Sequence, residues 1–318
     1  MKRERYILGI DTSNYKTSIA LTDEMGIVCD LRRFLTVKQG TRGLRQSEAL
    51  FQHVKNLPEL FGEMRGGYGD SIAAVSYSER PRPVEGSYMP CFLAGKSFAE
   101  SLASVLGVPA LGYSHQEGHI EAVRHSSGIP GDRDFIACHF SGGTCEIMRV
   151  KQKKVTERSA FDLETLGGSR DISFGQLLDR TGVASGLAFP CGEEMDRIAV
   201  ESEADENLLS LIKVKDGWVN LSGIETQIMR NIESVSRDKL FREVFRKTAD
   251  AMALMLRQVT ELSGLKDVLL SGGVSSSRFI RDSLRGQLAE LNLYFDGSDL
   301  SSDNAVGTAF LGGRYLWD

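Results

Sequence analysis

Two histidines four residues apart, His115 and His119, occur in the run His-Gln-Glu-Gly-His. On a helix both rings project from one face. Neutral imidazoles at this spacing can grip one divalent or trivalent cation; two solvent-facing histidines on a surface helix would have the same spacing. The zinc-peptidase pattern His-Glu-x-x-His puts its glutamate directly after the first histidine, where it serves as base for the metal's water. Here Glu117 comes two residues on and points to another face, and Gly118 weakens the helix. Peptidase chemistry is therefore disfavoured. A histidine pair needs at least one more ligand. Asp303, in Ser-Asp-Asn-Ala at the start of an expected last helix, is one candidate, with a helix N-cap as its other reading. His139, closing an expected strand, is a second, with an ordinary strand residue as the alternative.

Three glycine-bearing turns offer places for a nucleotide. Gly9-Ile-Asp-Thr-Ser-Asn-Tyr-Lys-Thr joins the first two expected strands. Asp11, at the end of the first, can organise a cation or water, and Lys16 can reach a phosphate as a point charge. Ser141-Gly142-Gly143-Thr144 is a second turn. The third, Ser271-Gly-Gly-Val-Ser-Ser-Ser, contains Gly272, Gly273 and Ser277 and lies between a strand and a helix, where N-terminal amides suit an anion or adenosine. A single Gly-Gly turn says little, since hairpins use glycine freely. Asp171, Asp179 and Asp196 can hydrogen-bond ribose hydroxyls or a base edge, or can form a charged helix face.

The elements around these residues repeat. Strands are expected at Tyr6–Ile10, Thr17–Leu21 and Gly26–Phe34, then a helix at Leu44–Met64, a strand at Ser71–Tyr77, a helix at Tyr88–Leu106, a strand at Pro109–Gly112 and a helix at His115–Arg124. The pattern restarts with strands Phe135–Phe140, Thr144–Val150 and Val155–Phe161. Helix Lys239–Ser263, strand Asp267–Leu270, helix Ser276–Leu291 and a last helix from Asp303 follow. A strand–glycine turn–strand unit thus opens each of two α/β halves. This is the layout of the actin-like, sugar-kinase fold, whose two lobes clamp a nucleotide. The expected division is 1–130, with helix 303–318 returning to it, and 131–302, parted where Gly and Pro cluster near Gly128–Gly131.

Composition narrows the function classes. No apolar run approaches the ~20 residues needed to cross a bilayer, so no membrane association is expected. The brief apolar run after Arg5 is too short for a signal peptide, and a cytoplasmic protein is expected. Five widely spaced cysteines without a CxxC pair argue against a disulfide framework or a thiolate zinc site. The net charge of −5 argues against a stand-alone RNA binder. Lys151, Lys153 and Lys154 form the one compact basic run and read as a solvated hairpin turn. If tRNA binds, local patches or a partner must supply much of the phosphate contact.

Nearly end to end, the chain resembles the TsaD family, the M22 glycoprotease-like transferases that make threonylcarbamoyladenosine on tRNA. Gly9–Leu21 is similar to the family's GIETSCDET stretch, and Val75–His119 to the block ending in HxEGH. Ser141–Thr144 matches its SGG turn, Asp171–Arg180 its DDAAGEAFDK, Phe189–Asp196 its YPGGPxID, Ser271–Arg278 its SGGVAANSR, and Ser302–Ala305 its TDNA.

The resemblance implies that His115, His119 and Asp303 hold an iron or zinc ion. His139 stands where archaeal-type members carry a ligating tyrosine. Phe140, Ser141, Gly142, Gly143 and Thr144, with Asp179, Gly192 and Asp196, fall where the family binds its adenylate, threonylcarbamoyl-AMP. Ser277 replaces the asparagine of the third turn. Partner subunits of the TsaB and TsaE type are implied, with tRNA as acceptor. The departures are pointed: a shortened carboxylate at Asp11, Tyr15 and Lys16 for an acidic pair, Arg80-Pro81-Arg82 for a GPG turn, and Ile172 and Gln176 for acids. They suggest a divergent paralogue. Besides tRNA modification they leave open an ATP-dependent carbamoyl transfer to a small molecule and a non-catalytic, nucleotide-binding partner.

Overall fold

The computed structural model describes residues 5–13, 15–37, 44–64, 67–204, 207–296, 300 and 305–317. The chain divides into two compact units. The first holds the chain up to Ser126, residues 152–162 and the C-terminal helix; the second holds the rest.

The first unit is built on a five-stranded sheet of order β3-β2-β1-β4-β5, comprising β1 (Tyr6–Asp11), β2 (Lys16–Asp23), β3 (Gly26–Phe34), β4 (Ile72–Arg80) and β5 (Ala110–Ser114). β1 to β3 form an antiparallel meander, and β4 and β5 run parallel to β1. β1 is buried along its whole length, as its near-continuous apolar run requires of a central strand. Helices α1 (Gln46–Glu63) and α2 (Phe92–Leu106) cover one face through Leu57, Leu60, Ala99 and Ala103, packed on Leu8, Ile10, Leu21 and Val75. Helix α3 (His115–Ser127) follows β5 directly, and α9 (Val306–Trp317) packs on β1, β2 and β4. Because β1, β4 and β5 are parallel, Asp11, Ser78 and His115 are gathered at one edge of the sheet, where α/β proteins place their ligands.

The second unit has a seven-stranded sheet of order β12-β11-β6-β7-β8-β10-β9. Its strands are β6 (Phe135–Phe140), β7 (Cys145–Gln152), β8 (Phe161–Ser169), β9 (Val214–Lys215), β10 (Trp218–Val219), β11 (Asp267–Ser271) and β12 (Asn292–Phe295). Five helices pack on it: α4 (Phe174–Ala184), α5 (Gly192–Glu201), α6 (Ser222–Asn231), α7 (Arg237–Ser263) and α8 (Arg278–Gln287). The core gathers Phe140, Phe174, Phe241, Phe245, Ile147, Val268 and Leu270.

Some sequence expectations shift. The strand expected at Val155–Phe161 lies later, at β8. Residues 155–160 form a loop that is buried at Val155 and Ala160, and its polar backbone serves the first unit: Thr156 O accepts from Tyr113 Oη at 2.9 Å and Glu157 O from the Gly112 amide at 2.8 Å. Helix α2 begins at Phe92 rather than Tyr88, because Pro90 precedes its N-terminus. Helix α8 is shorter at both ends than expected, starting after a Ser277 N-cap. The five cysteines are free thiols. Among the described residues no helix is long and apolar enough to cross a membrane.

Candidate functional site

The histidine pair stands on the first turns of α3. His115 Nε2 and His119 Nε2 are 2.9 Å apart, their rings edge to face at 78°. Two nitrogens that share one zinc-sized ion, each ~2.1 Å from it, stand roughly 3 to 3.4 Å apart. The far side of the His115 ring is held by Asp11, whose Oδ2 lies 2.7 Å from Nδ1. A proton on Nδ1 shared with a carboxylate leaves the Nε2 lone pair outward, which is how a buried acid orients a ligating imidazole. Asp11 is 1% exposed and also accepts from the Ser13 amide at 2.9 Å and from the Ser78 hydroxyl. Its carboxylate therefore braces His115 from within the unit. Phe92 covers the same ring at 5.9 Å between centroids.

Glu117 turns away from this pair. Fully buried, it accepts from the Ser114 amide and hydroxyl at 2.9 and 2.7 Å, and from the amides of Ala160 and Phe161 at 2.8 and 3.3 Å. Four donors fix it as a structural acid, with no role as base beside the histidines. Asp303, the third expected ligand, lies outside the described residues. Among the described residues no group of three or more His, Cys, Asp or Glu side chains is arranged to hold a metal. His139 belongs to the second unit, with Nδ1 3.1 Å from the Ser271 hydroxyl. Lys16 Nζ sits 4.6 Å from the centre of the Phe34 ring, its register partner on β3.

The second unit contains a cavity of about 570 Å³. Of the residues singled out from sequence, Gly142, Asp179, Gly192, Asp196, Gly273 and Ser277 line it. Phe140, Ser141, Gly143, Thr144 and Gly272 do not. Phe140 is a fully buried core residue, edge-on to Phe174; its carbonyl accepts from the Val274 amide at 3.0 Å, which lays the third turn against the second. Gly272 (φ +91°) makes this possible, since a Cβ there would stand 2.4 Å from Phe140 O. The hairpin turn closes on itself, with the Ser141 amide donating to Thr144 O at 2.8 Å and the Thr144 amide to Ser141 Oγ at 3.1 Å. Ser173 and Gln176 form a capping box that starts α4, and Ser173 Oγ also donates to Gly142 O at 2.8 Å. Gln176, a departure from the family's acid, is thus occupied with helix capping.

The amides at the start of α8 are not open to an anion. Asp196 accepts from the Arg278 and Phe279 amides at 2.8 and 3.1 Å and from the Ser277 hydroxyl at 2.6 Å, while Ser277 Oγ accepts from the Ile280 amide. Of the anion or adenosine that the sequence offers to this turn, an anion would meet a protein carboxylate already on the Arg278 and Phe279 amides. The Ser277 proton is likewise committed to Asp196. Asp171 caps α6, accepting from the amides of Ile172, Leu221 and Ser222. Burial pushes its carboxyl up, but those backbone donors outweigh burial and hold it well below the usual carboxylate range. Among the described residues the cavity lining carries Asp179, Glu193 and Asp196 and no lysine or arginine. Its apolar part is Leu178, Phe189, Pro190, Phe245 and Val274. The sequence reading missed the other lining residues, Gly175, Leu178, Phe189, Pro190, Glu193, Phe245, Val274 and Ser276. Only Phe189 carried a signal, as an aromatic before Pro-Cys-Gly.

The family model for TsaD, tRNA N6-adenosine threonylcarbamoyltransferase, matches residues 42–310. The chain belongs to the TsaD family. This TsaD chain is 28% identical over 315 residues to a tRNA N6-adenosine threonylcarbamoyltransferase of Neorickettsia sennetsu, covering 96% of the chain and 92% of that relative. It is 29% identical to a probable bifunctional tRNA threonylcarbamoyladenosine biosynthesis protein of Methanothermobacter thermautotrophicus, of which it spans 55%. Among solved structures it resembles full-length HypF in its phosphate- and nucleotide-bound form (TM-score 0.63, 13% identity, all of this chain and 57% of that one). It also resembles a ROK family glucokinase from Streptomyces griseus in complex with glucose and AMPPNP (TM-score 0.52, 14% identity, 96% and 98% covered). The TsaD chain therefore has the actin-like, sugar-kinase fold.

Proposed function

We propose that this chain transfers a threonylcarbamoyl group from threonylcarbamoyl-AMP to N6 of adenosine in tRNA, with one iron or zinc ion bound. The observation that carries this reading is the convergence of His115 and His119 Nε2 at 2.9 Å in a member of the TsaD family. The donor set fits the ion: two neutral imidazoles aimed at one point, one of them oriented by Asp11, with Asp303 as third ligand by resemblance. When bound, the ion supplies a Lewis acid for a carbonyl or phosphate oxygen.

The chain's own residues do the rest. The second unit's cavity receives the nucleoside half of the donor, its apolar lining taking the base and its carboxylates taking hydroxyl or amine donors. The phosphate lies away from that lining, since acids there repel it. A net charge of −5 leaves much of the tRNA contact to partner subunits of the TsaB and TsaE type.

The test is complementation of a TsaD-depleted strain with partners co-expressed, with tRNA nucleosides read by mass spectrometry. Restored threonylcarbamoyladenosine is expected. No restoration, with turnover of carbamoyl phosphate and ATP by the purified chain, would instead favour transfer to a small molecule.

A further inference from the structure

The hairpin β9–β10 is anchored on one side and basic on the other. Its turn, Asp216-Gly217, has both residues at positive φ (52° and 77°), the geometry that fixes the register of a two-residue hairpin. Lys215 and Trp218 therefore stand directly opposite each other and share one face. Val214 and Val219 turn the other way, into the core of the unit. The anchor is polar: Gln258 of α7 accepts from the Gly217 amide at 2.9 Å and donates to Val214 O at 3.4 Å, and Gly217 O accepts from the Gly168 amide at 3.0 Å. Arg170 lays its guanidinium 5.5 Å from the centre of the Trp218 ring. Arg170, Lys213 and Lys215 are exposed, and none of them makes an ion pair with a described residue. The basic run that stands out in the sequence differs in this respect: Lys151 pairs with Glu164 at 3.2 Å and Lys153 with Asp162 at 2.5 Å.

We infer that this face of the hairpin docks a single-stranded stretch of RNA, with Trp218 and the Arg170 guanidinium stacking on bases and Lys213 and Lys215 meeting phosphates. The inference rests on the reading that tRNA is the acceptor. A chain of net charge −5 approaches a polyanion only through a local patch. An ion-paired lysine must give up its carboxylate to take a phosphate, and these two have none to give up. The acids beside them in the chain are Asp171 and Asp216. The Asp171 carboxylate already answers the amides of Ile172, Leu221 and Ser222, which leaves Asp216 alone at the tip of the turn. Indole and guanidinium planes suit bases that are out of the stack, and a duplex keeps its bases stacked. Lysine is depleted in protein–protein interfaces, so two lysines beside one aromatic ring favour RNA over a protein partner. The polar anchor to α7 holds the platform in place before any strand arrives, which lowers the ordering cost of binding.

Fluorescence anisotropy of the full-length chain with a labelled anticodon stem-loop RNA, and with a blunt duplex of the same stem, tests this. The wild type is expected to bind the stem-loop about tenfold or more tighter than the duplex. Trp218→Ala should lose about tenfold of the stem-loop affinity, and Trp218→Phe should keep most of it. The double variant Lys213→Ala, Lys215→Ala, which changes only exposed side chains, should lower the slope of log affinity against log salt by about 1.4, as expected for two single-strand phosphates. Stem-loop affinity and salt slope that stay at wild-type values in both Trp218→Ala and the double lysine variant overturn the inference, as does equal binding of stem-loop and duplex. If Trp218→Ala leaves RNA binding intact and instead abolishes association with a TsaB-type subunit in gel filtration, the face is a protein interface and the inference fails. Failure of the underlying reading looks different: RNA binding that responds to the variants as expected, in a chain that restores no threonylcarbamoyladenosine, keeps the docking surface and removes the transfer. Restored modification by a chain that binds neither RNA does the reverse.

Discussion

Gly307 of α9 and Gly118 of α3 meet with no room for a side chain: a Cβ on Gly307 would stand 1.8 Å from the Gly118 carbonyl oxygen. The glycine that weakens α3 as a helix former is the one that lets α9 cross it beside the histidines. Gly307→Ala is expected to destabilise the chain by about 1–3 kcal/mol through overpacking, read as a lower denaturation midpoint in urea. An unchanged midpoint would mean that the two helices part at no cost.

Removing the charge from Glu117 should be expensive for the same helix. Its carboxylate answers four donors in a fully buried setting. Glu117→Ala, which leaves those donors bare, is expected to lose about 3–5 kcal/mol. Glu117→Gln, which keeps the shape and one acceptor, should lose less. Equal stability of Glu117→Ala and wild type in equilibrium unfolding would contradict the assignment.

Metal content separates the roles of Asp11 and the histidines. His115→Ala and His119→Ala should each abolish retention of iron or zinc through gel filtration. Asp11→Asn, which removes only the orienting carboxylate, should weaken affinity by about 10–100-fold. Elemental analysis and chelator competition read both. Full metal retention in His115→Ala would sink the site.

Acid should weaken the first unit through His53. Its ring is fully buried on α1, with Nδ1 2.8 Å from the Thr17 hydroxyl. Burial lowers its pKa from 6.5 to about 4, opposed by the charge of Asp11 and by the Ser13 backbone. The unfolded chain therefore takes up a proton that the folded chain refuses. The stability held above pH 6.5 is lost as pH falls toward 4, by about 3 kcal/mol over the window. His53→Gln should flatten that part of the pH–stability curve relative to wild type in urea melts at pH 7 and pH 5.

Ser277→Ala removes the hydroxyl that bonds both Asp196 and the Ile280 amide. A loss of about 1 kcal/mol, typical of an N-cap, is expected by thermal unfolding. Asp196→Asn should also loosen α8, since it replaces an anion at a helix N-terminus.

Much of this architecture is local and so readable from sequence. The glycine turns at Ser141–Thr144 and Ser271–Gly273 follow from turn chemistry, and the runs at Tyr6–Asp11 and Phe135–Phe140 from their apolar continuity. The distant pairings are not readable. Asp196 meets Ser277 across 81 residues, and no periodicity says that an acid on α5 will close the start of α8. Phe245 lines the cavity, yet on α7 it sits at an apolar position no different from that of buried Phe241. The stretch 155–160 lies between apolar Val155 and Phe161, as a short strand can, but its backbone partners are Gly112 and the Glu117 carboxylate and it joins no strand ladder.

The first unit is discontinuous, assembled from the chain up to Ser126, residues 152–162 and α9. A fragment ending at Ser126 would keep the histidine helix but lack α9 and the amides of Ala160 and Phe161, stranding the Glu117 charge in an apolar interior. No single cut can therefore separate the molecule into two self-sufficient pieces. Only a rewired chain that rejoins those three stretches could carry the histidine pair by itself.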